Sequence, residues 1–290
     1  MTIPIEPRAM ENLLSLLRQP FVESAFIAGT LIAVVAAIVG YFVVLRAQAF
    51  AAHALSHVGF AGATLAALTG VSGLLGMTGF TAAAALGIGA MGERSRGRDV
   101  EIGMVLSFAL GLGVLFLRLY TNSASETVSV LFGSILSVTP ADIMYTMIFG
   151  VAALAALAFI FRPLLFSSID PEVAAARGVP VRALGIAFML ILAVTVAEAI
   201  QVVGVLLVFA LIVAPAAAAQ HLTKRPLAAI AIAVVFGALF TWIGLVLAVA
   251  TAWPASFVIA AIAALTYFVA ITFGHLVRPH GHAAGHHHAW

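Results

Sequence analysis

Residues 53–57 read His-Ala-Leu-Ser-His, inside an otherwise small or apolar stretch, AFAAHALSHVGFAGATLAAL (49–68). On a helix, positions i and i+4 share a face, with Cβ atoms about 5–6 Å apart. Two imidazoles so placed can converge on one metal ion at about 2.0–2.1 Å each. Ser56 and Thr64 lie close to the same stripe, and polar groups within a membrane span usually face a bundle interior or a watery path. The alternative is that both rings only bond backbone carbonyls or hydroxyls of neighbouring helices, and the spacing alone leaves both readings open. Zinc-protease chemistry does not fit, because H-E-x-x-H needs a Glu after the first His and Ala54 stands there.

A second group of histidines closes the chain. GHLVRPHGHAAGHHHAW (274–290) holds His275, His280, His282, His286, His287 and His288. Neutral imidazole suits zinc, copper, nickel and iron better than magnesium, calcium or manganese. Residues 279–290 read as a His-rich tail without fixed structure, a secondary place for metal at His280, His282, His286, His287 and His288. The chain has no cysteine, so disulfides and thiolate metal sites are excluded.

The elements that must position these groups are membrane helices. Of the 290 residues 64% are hydrophobic and 8% charged, and mean hydropathy is +1.20. A soluble domain carries about 25% charged residues, so most of this chain lies in lipid. The apolar runs are too long and continuous for barrel strands of about ten alternating residues. The expected fold is all-α and polytopic, one transmembrane domain over 1–290. Nine spans are read near 22–45, 48–69, 71–91, 100–119, 140–161, 183–198, 201–219, 227–248 and 255–277. The sixth and seventh meet in a tight hairpin around Glu198 and Gln201; if they are one broken helix, the count is eight. The run TVSVLFGSILS (127–137) is too short to span and reads as a re-entrant segment. Residues 1–20 lack the continuous apolar core of a cleavable signal. They read either as a short interfacial helix on Leu13, Leu14, Leu16 and Leu17 or as a plain lead-in.

Lys and Arg in short loops set the orientation. Nine spans with the N-terminus outside put Arg46, Arg94, Arg96, Arg98, Arg162, Arg177, Arg182, Lys224, Arg225 and Arg278 in the cytoplasm. Only Arg8, Arg18 and Arg118 remain outside. The longest cytoplasmic connection, 162–182, contains a capped short helix: Asp170 as N-cap, Pro171 at the first position, Glu172 in the first turn, and Gly178 and Pro180 as stops. Such a helix can dock on a partner or simply join two spans.

Four stretches, in this order, carry a resemblance. HALSHVGFAG (53–62) is similar to D-x-L-S-H-A-x-x-P-G; VLFGSIL (130–136) to a re-entrant segment; DPEVAAARGVP (170–180) to a coupling helix; and VVGVLLVFALIVAPAAAA (202–219) to V-G-x-L-L-v-x-A-L-L-x-x-P-A-A-x-A. Over nearly its whole length the chain resembles the membrane permeases of bacterial zinc- and manganese-type ABC importers. The resemblance implies a multi-pass protein of the bacterial inner membrane, with His53 and His57 on the translocation path between two copies of the chain. It implies a separate ATP-binding cassette ATPase on the coupling helix (Asp170, Glu172, Gly178) and an extracytoplasmic metal-binding protein that delivers the cargo.

Two positions depart from the pattern: His53 replaces the family Asp, and Ala61 its Pro. An imidazole in place of a hard anionic oxygen shifts the expected cargo from manganese toward zinc, with manganese or iron as alternatives. The chain has no G-x-x-x-x-G-K-[ST] phosphate loop, so it is expected to hydrolyse nothing itself, to hold no permanent cofactor and to bind no nucleic acid. A secondary metal/proton exchanger would need several membrane carboxylates, and the spans offer mainly Glu198. A non-transporting scaffold leaves the ligand-spaced histidines without use.

Overall fold

The structure, a computed structural model, describes Leu16 and residues 19–91, 98–120 and 135–277. Within them the chain forms α1 (Pro20–Leu45), α2 (Ala49–Thr69), α3 (Gly73–Met91), α4 (Arg98–Tyr120), α5 (Pro140–Ile169), α6 (Pro171–Ala176), α7 (Val181–Val203), α8 (Val205–Leu222), α9 (Pro226–Thr251) and α10 (Ala255–Val277). All of these except α6 are long and apolar enough to cross a membrane, so the protein is an all-α, multi-pass membrane protein with nine such helices among the described residues. Proline opens α1, α5, α6 and α9, where the missing N–H is not needed. Thr139 and Asp142 form a capping box on α5, which satisfies two orphan donors reciprocally.

Three side-chain bonds fix one end of the bundle. Arg182 at the start of α7 donates to the Ala90 carbonyl at the end of α3. Gln220 in the last turn of α8 donates to the Tyr41 carbonyl near the end of α1. Arg46, just past α1, donates to Ser168 near the end of α5. With Arg177, Lys224 and Arg225 in the adjoining turns, this is the basic end.

The helices α1, α2, α7 and α8 are the core, each with more than half of its most apolar stretch buried; for α3, α4, α5, α9 and α10 that share is a third or less. Outer helices present large apolar side chains outward, Phe159, Met104 and Phe108 among them. In lipid such a surface costs nothing, and helices associate instead through close packing of small residues. Gly62 of α2 and Gly76 of α3 bring their backbones together so closely that a methyl group on either would strike the other's carbonyl. Gly40 of α1 lies equally close to the Ile212 carbonyl of α8, and Gly29 of α1 takes Thr241 of α9.

Two boundaries differ from the sequence expectation. The fifth helix runs on to Ile169 rather than stopping near 161, through Arg162 and Pro163. The hairpin expected at Glu198–Gln201 lies at Gly204 instead. Gly204 has φ 80° and ψ 163°, a backbone region open essentially to glycine alone. Glu198 and Gln201 thus belong to the last turns of α7. Glu198 is buried there, and Gln201 donates to Asp142 of α5 at 2.7 Å.

Of the re-entrant segment, Ile135–Ser137 is described and forms one 3-10 turn. Ile135 is buried and lies against Gly29. Gly29 is nine residues past the start of α1, about 14 Å along the axis, so this turn lies well inside the bundle. Residues 92–97, most of 1–20 and the tail 279–290 lie outside the described residues.

Candidate functional site

α2 is held by α3, α4, α7 and α8, and nearly every side chain from Ala51 to Gly62 is buried. His53 and His57 are the exceptions, both half-buried. They share the helix face expected from their spacing. Their ring centroids are 4.8 Å apart with the planes at 85°. Phe209 of α8 closes one side, its ring edge-on to His53 at 5.1 Å and 72°. Phe209 is itself half-buried, as is Val213 one turn further along α8. The histidines therefore line a part-open, otherwise apolar stripe between α2 and α8.

The ring separation suits shared ligation. With a metal–nitrogen bond of about 2.0–2.1 Å, an ion lies about 3.2 Å from each ring centroid. Two rings on one ion at angles of about 90–110° then have centroids about 4.5–5.2 Å apart. The observed 4.8 Å falls inside that range.

Hydrogen bonding bears on the alternative. The Nδ1 atoms of both histidines are buried and without a hydrogen-bond partner. The alternative reading, in which both rings merely bond neighbouring carbonyls, therefore finds no support at these atoms. Ser56 and Thr64 do not extend a ligand stripe. Both are buried; Ser56 donates to the His53 carbonyl, and Thr64 to the Phe60 and Ala61 carbonyls. Among the described residues no third His, Cys, Asp or Glu joins the pair to make a group of three. One copy thus offers two neutral nitrogen donors, too few to close a structural site of four ligands.

The second candidate locus is α6 at the basic end. Asp170 Oδ1 accepts from the backbone N–H groups of Glu172 and Val173 at 3.2 and 3.0 Å, with Pro171 at the first helical position. Gly178 has φ 79°, the left-handed stop anticipated from the sequence. Between them Glu172, Ala175, Ala176 and Arg177 are all exposed. His280, His282, His286, His287 and His288 lie outside the described residues. Sequence reasoning missed Phe209, which nothing in its apolar stretch distinguishes. It also missed the burial of Arg46, whose only signal is a charge directly after an apolar span.

A model of the ABC 3 transport family matches residues 18–274. The chain is 31% identical over 259 residues to the manganese transport system membrane protein MntC of Listeria innocua, covering 89% of this chain and 92% of that protein. It is 26% identical to the high-affinity zinc uptake system membrane protein ZnuB of Haemophilus influenzae, over 77% of this chain and 86% of that one. Its fold superposes on PsaBC from Streptococcus pneumoniae in complex with Fab, with a TM-score of 0.80 and 28% identity, covering 90% of this chain and 95% of that one.

Proposed function

This chain belongs to the ABC 3 transport family, and from that premise we propose that it is the membrane-spanning permease of an ATP-driven importer of divalent transition metal, with zinc as the preferred cargo. The observation that carries the reading is the His53–His57 pair, spaced at 4.8 Å for one ion on a part-open stripe of α2. Two such donors bind weakly. A conduction site must release what it takes, so a low ligand count per chain suits passage. A second copy of the chain, its stripe facing the first, brings the count to four imidazoles and makes the path a shared one. Neutral nitrogen donors select zinc over manganese by softness. Manganese is the second reading, favoured by the relative whose name assigns it that metal; iron transport by the same machinery remains a third outcome of the assay.

With the basic end in the cytoplasm, as the positive-inside rule requires, α6 faces the ATPase. Asp170, Glu172 and Gly178 shape the docking element: a cap, an acidic side chain in the first turn and a left-handed stop. An ATP-binding cassette subunit supplies hydrolysis, and an extracytoplasmic metal-binding protein delivers the ion at the opposite end. The single permease domain spans 1–290 in the bacterial inner membrane, N-terminus outside and C-terminus inside. Uptake into proteoliposomes containing the permease and its ATPase, supplied with the metal-binding protein and with zinc, manganese and ferrous iron in competition, tests the reading. Preferential zinc uptake supports it. Preferential manganese uptake establishes the second reading, and uptake that ignores ATP refutes the ATP-driven mechanism.

A further inference from the structure

In the sequence Arg46 counts only as one of the loop charges that fix orientation. In the structure its side chain is 9% exposed. Nη1 donates to Ser168 Oγ at 2.8 Å, and the guanidinium carbon lies 5.7 Å from the centroid of the Phe188 ring. Ser168 is two residues before Asp170, the cap of α6. Phe188 is in the second turn of α7, the helix into which α6 leads. One cation therefore touches both helices that flank α6. Beneath it, Phe42 of α1 meets Phe161 of α5 edge-on at 5.4 Å and Phe188 at 6.0 Å. Close-packed rings of this kind resist relative sliding, because interiors tolerate little volume change.

On its other side, Arg46 is joined to the histidine helix through a turn with no slack. The Gln48 N–H donates to the Val43 carbonyl at 2.8 Å and the Ala47 N–H to the Val44 carbonyl at 3.1 Å, the two bonds of a Schellman turn. Ala47 holds the left-handed position at φ 53°. Glycine usually stands there, and an alanine confines the backbone to a narrower well. Gln48 is the N-cap of α2, and His53 lies in the second turn.

We propose that Arg46 is a positioning residue for transport: it ties the α1–α2 turn to the two helices flanking α6, so that a displacement of α6 is delivered to the helix carrying His53 and His57. The proposal rests on the reading of α6 as the ATPase-docking element. The guanidinium grips Ser168 by a charge-assisted bond, stronger than a neutral one, and Phe188 by its ring face. Because the Schellman turn is rigid, α2 follows.

The test is metal moved per ATP hydrolysed, measured in proteoliposomes with the full permease, its ATPase, the delivering metal-binding protein and zinc chloride. Arg46→Ala should lower that ratio about tenfold, while hydrolysis and copurification with the ATPase persist. Ser168→Ala should lower it less, and Arg46→Lys should recover most of it, since an ammonium can still reach the Ser168 hydroxyl. A merely structural role would reduce the yield of assembled complex and leave the ratio intact. An unchanged ratio in assembled Arg46→Ala overturns the proposal; if that variant does not assemble, an unchanged ratio in Ser168→Ala does. The docking reading is judged separately: if Glu172→Arg retains normal ATPase binding and coupling, that reading fails, whatever Arg46 shows.

Discussion

His53 and His57 stand 4.8 Å apart, ring centroid to ring centroid, with their planes nearly perpendicular and both Nδ1 atoms buried without a hydrogen-bond partner. Neither ring serves the packing of the protein through these nitrogens. His53→Ala and His57→Ala should each cut zinc uptake by more than the about 10–100-fold that loss of a mere outer-shell partner costs at metal sites, with assembly unaffected. Normal uptake by the double variant would remove the pair from the path. His53→Asp should keep part of the transport and shift the preference toward manganese, since a carboxylate oxygen is the harder donor. Competition between the two metals in the same vesicles measures the shift.

Packing against the histidine helix supplies a second expectation. Gly62 and Gly76 have no room for a side chain, because each would meet the other's backbone. Overpacking costs about 1–3 kcal/mol. Gly62→Val should therefore lower the thermal midpoint of the detergent-solubilised protein, whereas Gly79→Ala on α3, where a methyl meets nothing within 4 Å, should not. Equal midpoints for the two variants would mean that α2 and α3 do not approach as described.

At α6, the expectations concern docking. Glu172→Arg reverses a charge in the first turn, and a bulky residue at Gly178 must adopt φ 79°, where L side chains are strained by about 1 kcal/mol or more. Both changes should reduce copurification of the ATPase and uncouple hydrolysis from uptake. Wild-type values for both quantities would make α6 a simple connector.

Glu198 is buried at 3% exposure, and neither carboxyl oxygen has a hydrogen-bond partner. A buried polar group without a partner is costly. Glu198→Gln and Glu198→Met should leave the thermal midpoint unchanged or raise it. A marked fall would show that the carboxyl group is held by an interaction in the assembled importer or its lipid surroundings.

The tail supplies a final expectation. Deletion of 279–290 removes His280, His282, His286, His287 and His288, and it should leave the transport cycle working and alter only its response to zinc added on the cytoplasmic side. Loss of uptake by a well-assembled truncation would put the tail on the path.

The sequence by itself determined the class of the protein and much of its local structure. Lipid imposes one requirement on every span, about twenty apolar residues with all backbone groups satisfied internally, so the number of spans was legible, though not where each one ends. Caps were legible as well: Asp170, Pro171 and Gly178 act through bonds and dihedrals within a few residues of themselves. So was the pairing of His53 with His57, since helical periodicity alone puts them on one face. What only the tertiary structure decided depends on neighbours far along the chain. The hairpin went to Gly204 rather than to the polar pair Glu198 and Gln201, because Gln201 finds Asp142 on α5 and Glu198 is buried among other helices. Polarity predicted exposure there, and a partner 59 residues away overruled it. Phe209 beside His53, and Arg46 between Ser168 and Phe188, escaped notice for the same reason. A membrane chain uses one apolar alphabet for lipid, core and path, so only packing tells which residue faces which.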